Sequence, residues 1–567
     1  MHVGLVGSGP AETAIRAALA DVDATVSTGV DSLPEADLGV VIAPAGAERF
    51  DRADEACDRL VACEIGGVGG HAIDAIDAAV SAFTVDSARF SDLRLRVAST
   101  TDESDGRPSG DRSAVRFAGA VAGRCAVRLL AGEALGGTVV EVPGVERQFF
   151  PVPDGSRERV LDRSWREVDL QTALDRAERA LDDRVGLLTH VGERESFPVP
   201  YYLAGTADTT DYSDARAAEF AAGADPDWDR AFVKALGEGL ERYCAGVYRQ
   251  SEFVVTPEVN RSRPVSPARF ARPEGYQQVD SEERIAWVDG EHLATGERVS
   301  LPAEFVHYPP PRERHKPAIT TGLGLGNSGV EALLSGLYEV IERDATMIAW
   351  YSTFEPLGLE VDDERFRTLV KRARAEELDV TTLLVTQDVD VPVVACAVHR
   401  DREQENEEAW PRFATGSGAS LDPVSAARSA LAEALQNWME LRAMGPDQAA
   451  EEKAAIGEYA AFPPVARRFV DVDATVPAES VGPDTLPKGE AELDTVVKRV
   501  TDAGLDAYAA RTTTRDVSEL GFEAVRVLIP EAQPLFTGEP FFAERAETVP
   551  RALGFEPRLD RAYHPYP

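Results

Sequence analysis

Two stretches of the chain, Leu236-Gly-Glu-Gly-Leu-Glu-Arg242 and Leu337-Tyr-Glu-Val-Ile-Glu-Arg343, share the pattern Leu-x-Glu-x-apolar-Glu-Arg, and Leu431-Ala-Glu-Ala-Leu-Gln-Asn437 is a fainter third copy. Each sits in a run of helical period. Its two acids at i and i+3 and the Arg at i+4 therefore project from one helix face. One such copy alone reads as a solvated face laced with weak i,i+4 ion pairs. Three copies spread along one chain point instead to faces that meet around a ligand. Carboxylates hold Mg²⁺ through oxygen, and Arg pairs bidentately with phosphate, so the combination suits a magnesium-nucleotide site. Asn327 and Glu331 precede Glu339 on the second helix by steps that keep all three on one broad side. The run Thr321-Gly-Leu-Gly-Leu-Gly326 before them is expected as a Gly-rich turn where backbone approaches an anion.

At 567 residues the chain has material for two or three domains with substantial cores. The formal charge of -39 is dispersed along it, and lysine is confined to Lys234, Lys316, Lys371, Lys453, Lys488 and Lys498. That balance argues against nucleic-acid or anionic-membrane binding and fits a protein kept soluble in very salty cytoplasm, that of a halophile. Cys57, Cys63, Cys125, Cys244 and Cys396 are isolated and lack CxxC spacing, so buried thiols are expected rather than disulfides or a zinc ribbon. No signal peptide and no apolar run of spanning length is found, which predicts a cytoplasmic protein. His190, His307, His315 and His399 lack metal-ligand spacing and are expected as ordinary histidines.

The fold class expected is α/β followed by α+β. Val3-Gly-Leu-Val6, Gly7-Ser-Gly9 and the run Ala11 to Leu19 read as a Rossmann-like start, with a second buried strand at Leu38 to Ile42. Glu12 stands where a dinucleotide fingerprint needs its third Gly, so the unit is read as structural. Thr101 to Ser113 and Gly144 to Arg163 are polar and Gly/Pro-containing. The resulting domain plan is 1–100 Rossmann-like, 101–181 linker and accessory segment, and 182–567 a large mixed α/β domain with internal repeats. The acidic insert Arg402-Glu-Gln-Glu-Asn-Glu-Glu408 is read as a solvated loop.

From Asp182 to Pro567 the chain resembles the YcaO family. The resemblance rests on the Glu-x-x-Glu-Arg helices at Glu238 and Glu339, on Asn327 and Glu331, on Gly416-Ser-Gly-Ala leading to Glu433 and Gln436, and on the terminal His564-Pro-Tyr-Pro567. It implies ATP and Mg²⁺ as cofactors. It assigns Glu238, Glu241, Glu331, Glu339 and Glu342 to the metal, and these five with Asn327, Arg242 and Arg343 to the nucleotide. Arg343 would stand near the phosphates, and Pro567 would end a tail that reaches the active site. After Gln436 the chain departs from the family pattern: Trp438 stands where an Arg is usual, and Arg442 comes later.

The amino-terminal part is similar to the E1-like, ThiF-related domain of azoline cyclodehydratases, through Cys63-Glu-Ile-Gly-Gly-Val-Gly-Gly70, Ala78-Ala-Val-Ser81 and Leu93-Arg-Leu-Arg-Val97. Arg89 and Asp92 stand where that family carries a zinc-binding CxxC, so no structural zinc is expected, nor is a winged-helix peptide clamp before Met1.

The implied activity is ATP-dependent O-phosphorylation of a peptide backbone amide. The product would be a thiazoline or oxazoline ring formed from Cys, Ser or Thr of a ribosomally made peptide. Alternatives are backbone thioamidation by the same activation, or a non-catalytic scaffold for a peptide-modifying complex. Partners would be a peptide or protein substrate, with a separate leader-peptide-binding protein or a dehydrogenase as further candidates, and a homodimer as a candidate assembly.

Overall fold

Strand His2–Val6, the turn through Gly7 and Gly9, and helix Pro10–Leu19 form the expected βα unit. Pro10 starts the helix where a missing N–H costs nothing, and Ala11, Ile15 and Leu19, one turn apart, are its buried stripe. Glu12 lies in the first turn, ion-paired to Arg16 at 2.8 Å, as suits a structural unit. The computed structural model describes residues 1–101, 106–153, 160–400, 410–451 and 455–567, so the acidic insert 402–408 lies outside the described residues. No helix among the described residues is long and apolar enough to cross a membrane.

The amino-terminal sheet has seven strands, in the order Thr25–Thr28, His2–Val6, Leu38–Pro44, Arg59–Ile65, Ala78–Thr84, Thr138–Val142, Val145–Gln148. The first four run parallel and the rest antiparallel. This corrects the boundary expected at residue 100: much of the supposed linker belongs to the first unit. Asp111 caps helix Arg112–Leu130, accepting from the Ser113 and Ala114 N–H groups. A Cβ on Gly119 would sit 2.4 Å from Ala11 Cα, so Gly119 lets this helix close on Pro10–Leu19. The polar loop had masked an apolar helix and two strands that complete the sheet. Arg89 and Asp92 cap helix Phe90–Ala98, with the Asp92 carboxylate accepting from the Arg89 and Val152 N–H groups. Four cysteines are buried as expected, whereas Cys125 is only half-buried.

The remainder holds three further principal sheets. Leu188–Glu195, Tyr201–Thr206 and Phe220–Ala224 form an antiparallel trio. A second sheet orders Val254–Pro257, Arg284–His292, Tyr508–Arg511, Glu523–Leu528 and Leu323–Gly326, with Arg298–Pro302 paired to Arg284–His292. The third orders Phe413–Ala419, Val393–His399, Asp379–Leu384, Leu357–Glu360 and Thr475–Pro477. Against these pack the three acidic helices, Trp228–Gly246, Gly329–Trp350 and Pro423–Ala449.

Arg96 ties the two parts together. Its fully buried guanidinium pairs with Asp516, donates to Tyr243 Oη at 3.1 Å, and reaches the carbonyls of Phe150 and Pro151. Removing one partner of a buried pair leaves the other charge desolvated. Arg96→Met is therefore expected to destabilise the fold by about 3 kcal/mol, seen as a lower melting temperature. An unchanged melting temperature would show the pair to be dispensable.

Candidate functional site

All eight residues expected at the site, and Pro567, line one cleft of about 710 Å³. The first helix is capped by Asp227, which accepts from Arg230 N–H at 3.1 Å. On its inner face Glu238 accepts from Ala222 N–H at 2.8 Å and pairs with Arg242. Glu241 has no hydrogen-bond or ion-pair partner among the described residues, and burial, then repulsion from Glu339 and Glu238, pushes its carboxyl up to about 8.

The second helix begins where Ser328 accepts from Glu331 N–H. Glu331 in turn accepts from the backbone N–H of Asn327 at 2.7 Å and from its amide at 3.2 Å. Asn327 Oδ1 is buried with no hydrogen-bond partner among the described residues. One turn and more along the helix, Glu339 Oε2 accepts from Gly322 N–H at 2.9 Å. Glu342 accepts from Ser417 Oγ at 2.6 Å and lies 3.5 Å from Arg343, whose other nitrogen is 3.7 Å from Glu433. Burial pushes Glu342 up to about 7, with Arg343 opposing and Glu433 adding to the shift. Glu433 is raised as well, again chiefly by burial. Arg343 stays charged because Glu342, Glu433 and Glu339 outweigh its own burial.

The Gly-rich run is a strand rather than the expected anion-cradling turn. A Cβ on Gly324 or Gly326 would strike the backbone of the second helix, 2.2 Å from Ala332 O and 2.5 Å from Ala332 N respectively. These glycines let Leu323–Gly326 lie directly against the helix that carries Glu331 and Glu339.

The third helix contributes Glu433, Gln436 and Asn437 to the cleft. Glu433 accepts from Ser417 N–H at 2.6 Å and Asn437 donates to Thr415 O at 2.8 Å, which fixes the helix to strand Phe413–Ala419. Trp438 is fully buried, and Arg442 stacks over it and pairs with Glu195 and Glu376 rather than lining the cleft. The carboxyl-terminal tail enters through the core. Trp350 Nε1 donates to Ala562 O at 2.8 Å, Thr415 Oγ1 donates to Pro565 O at 2.7 Å, and His564 and Tyr566 are fully buried. Pro567 emerges on the cleft wall.

Among the described residues no three His, Cys, Asp or Glu side chains stand close enough to hold a metal unaided. The five acids thus share a cleft without forming a closed cage. That fits Mg²⁺ with a nucleotide, since Mg²⁺ ordinarily takes one or two carboxylates and draws its other oxygens from phosphates and water. The unpartnered Asn327 Oδ1 and the mutual repulsion of Glu241, Glu238 and Glu339 are what a cation would relieve.

The YcaO family, described as a cyclodehydratase family with ATP and Mg²⁺ binding, matches residues 222–533, which hold all three acidic helices. The chain belongs to the YcaO family. ATP and Mg²⁺ are therefore its ligands, and it is an ATP-dependent enzyme of that family. An uncharacterized protein of Methanothermobacter thermautotrophicus is 28% identical over 327 residues, 55% of this chain and 80% of that protein. Another, from the tfuA 3′ region of Rhizobium leguminosarum bv. trifolii, is 28% identical over 166 residues, covering 27% of this chain and 39% of the relative.

Among solved structures, a heterocyclase in complex with substrate and cofactor shares the fold over 98% of this chain and 83% of its own, with TM-score 0.73 and 17% identity. The heterocyclase TruD gives 0.67 and 17% over 98% and 82%. YcaO from Methanopyrus kandleri, bound with AMPPCP and Mg²⁺, gives 0.51 and 24% over 66% and 95%. The first two likenesses take in the amino-terminal sheet as well as the YcaO part.

Sequence reasoning left out two cations, one lining this cleft and one buried behind it. Lys234 lines the cleft and pairs with Asp225 at 2.7 Å; its signal was its place one turn before Glu238. Arg526 interrupts the apolar strand Glu523–Leu528 and is 3% exposed. It donates to Thr320 O at 2.8 Å and Ile319 O at 2.7 Å, and burial holds it down to about 10 against the pull of Glu339 and Glu241.

A proton linkage follows from the raised acids. Glu241 at about 8 and Glu342 at about 7 keep protons that the unfolded chain has lost above 4.5, so the unliganded fold loses stability as pH rises from about 4.5 to 8. A cation bound in this cleft would favour their ionised forms and displace those protons. Mg-ATP affinity is thus expected to rise between pH 6 and 8 and level off above, with release of roughly one proton at pH 7. Calorimetry in two buffers of different ionisation enthalpy measures it, and a pH-independent affinity without proton release would contradict the shifts.

Proposed function

We propose that the chain uses ATP to activate a backbone amide of a peptide by O-phosphorylation, giving a thiazoline or oxazoline by cyclodehydration. The observation that carries this reading is Arg343, set between Glu342 and Glu433 in the cleft that Ser417 and Pro567 also line. A Cys, Ser or Thr side chain of the peptide attacks the amide carbonyl, and the resulting oxyanion takes the γ-phosphoryl group as ADP leaves. The nitrogen then expels phosphate and loses its proton, forming the C=N bond of the ring. An amide is a poor electrophile, and turning its oxygen into phosphate supplies the leaving group. Mg²⁺ would neutralise charge on the transferring phosphoryl group, held by Glu238, Glu241, Glu331, Glu339 and Glu342 together with the phosphates. Arg343 would supply the guanidinium that the developing charge needs, and Arg242 and Asn327 would complete the nucleotide contacts. Pro567, on the tail held by the buried His564 and Tyr566, would position the attacking side chain, whose proton leaves to water. No conventional nucleophile-base pair is required, because positioning and electrostatics do most of this chemistry.

The reading draws support from the heterocyclase of the same fold that was solved with substrate and cofactor. Deleting Pro567 tests it: Mg-ATP affinity should persist while peptide turnover falls about a hundredfold, as for a displaced reacting group. Full turnover without Pro567 would remove the tail from the chemistry. Peptides of wild-type and gene-deletion strains compared by mass identify the product. A loss of water marks cyclisation, whereas exchange of oxygen for sulfur would replace cyclisation by thioamidation with the same activation.

A further inference from the structure

A second cavity of about 530 Å³ opens beside the nucleotide cleft, between the strap Lys316–Ile319 and the segment Pro534–Phe541. Its walls are largely proline and aromatic: Pro273, Tyr276, Pro317, Pro534, Phe536 and Phe541. The strap is the partition. Pro317, Ala318 and Ile319 line this vestibule while the next residue, Thr320, lines the nucleotide cleft. Arg526 clamps the strap from behind through the carbonyls of Ile319 and Thr320.

Three connections join the vestibule to the chemistry. A small cavity of about 50 Å³ shares Lys316 and Ile319 with the vestibule and Arg343 with the nucleotide cleft. Phe536 O, on the vestibule wall, accepts from Tyr563 Oη at 2.6 Å and from His564 Nε2 at 2.8 Å, so the same wall anchors the tail that delivers Pro567. Lys316 is the third. Its ammonium lies 5.4 Å from the Phe270 ring and 5.1 Å from the Phe305 ring, and no carboxylate stands at ion-pair distance from it among the described residues. Glu304, engaged by His315, acts on it only at longer range, so in a chain of charge -39 this half-buried cation has no direct acid partner among the described residues and is free to meet an incoming acceptor. Burial, then Arg526, brings its ammonium down to about 8, so it remains a donor at neutral pH.

We propose that this vestibule is the entry for the substrate peptide: it seats an apolar side chain of an extended segment while Lys316 donates to a backbone carbonyl, aligning the reacting amide toward Arg343. The prolines remove backbone N–H donors from these walls, and among the lining residues, which also include the acids Glu274 and Glu539, Lys316 is the cation that can donate to a peptide carbonyl, while the apolar walls suit side chains beside the reacting residue. The inference rests on the amide-activation reading above, and Lys316 acts here as a positioning residue.

Disulfide tethering tests it without knowledge of the natural peptide. Thr537→Cys places a thiol on the exposed rim, and Val85→Cys, 49% exposed on the amino-terminal sheet, serves as control. Each full-length variant is equilibrated in a thiol buffer with an equimolar pool of end-capped, cysteine-containing hexapeptides, and adducts are read by mass. Peptides with apolar residues beside the cysteine should be enriched about tenfold at position 537 over position 85, as one charge-assisted hydrogen bond supplies. Adding Lys316→Met should remove the enrichment, and Lys316→Arg should retain it. Equal labelling at the two positions, or enrichment that survives Lys316→Met, overturns the proposal. A Mg-ATP titration of the same proteins separates the two readings. Nucleotide binding without enrichment removes the vestibule alone, whereas enrichment without nucleotide binding keeps the vestibule and removes amide activation.

Discussion

Glu339→Gln should weaken Mg-ATP binding roughly a thousandfold, about 4 kcal/mol, while the unliganded fold keeps its stability. Glu339 is the acid whose charge reaches most of the site: it raises Glu241, Glu342 and Glu433 and helps hold Arg343 and Arg526 charged. Gln preserves the acceptor for Gly322 N–H, so the strand-to-helix join survives the substitution. What is lost is the negative charge that a bound cation needs, together with a repulsion that the empty site would be better without. The expected signature is therefore split: affinity by calorimetry collapses and the melting temperature holds. Wild-type affinity in Glu339→Gln would place the nucleotide elsewhere. A parallel fall in affinity and melting temperature would make Glu339 a structural acid.

Arg343→Gln is expected to lower the maximal rate of Mg-ATP turnover by about a thousandfold, with a smaller effect on the KM for ATP. A buried, preorganised guanidinium is worth most where charge develops during phosphoryl transfer, and it costs no reorganisation there. The substitution also leaves Glu342 and Glu433 facing one another without their shared cation, so both carboxyls should rise further. The residual activity should then move to higher pH. Arg343→Lys keeps the charge but not the planar fork that spans two acids, and a partial recovery is expected. A rate near wild type in Arg343→Gln would remove Arg343 from the chemistry and leave it as the counter-ion of the two acids.

The acidic helices were legible because an acid, an acid and an arginine at i, i+3 and i+4 share a face in any α-helix. Glu238, Glu241 and Arg242 accordingly meet Glu339, Glu342 and Arg343 in one cleft. The opening βα unit was legible for a similar reason, since His2–Val6 is buried almost throughout and Pro10–Leu19 carries a regular stripe. The misreadings also have local causes. Gly322 to Gly326 looked like a turn because glycine permits one, yet Gly324 and Gly326 serve a strand pressed against a helix. The stretch after residue 100 looked like a linker because its polar loop precedes a helix whose partners, Ala11 and Ile15, lie far back in the sequence. Arg526 was passed over because a lone arginine in an apolar strand has no local pattern to distinguish it.

The sequence by itself determined which faces of which helices carry charge, because helical period is a property of neighbouring residues. It also settled the family, through motifs that lie on those faces. Only the tertiary structure decided how three helices from distant parts of the chain close on one cleft, how the tail is threaded so that Pro567 lines it, and that no carboxylate stands at ion-pair distance from Lys316 among the described residues. Those outcomes rest on sheet pairing and core packing between segments far apart in the chain, as in the Arg96–Asp516 pair. The free energy of such contacts belongs to both partners together, so neither segment's local pattern contains it.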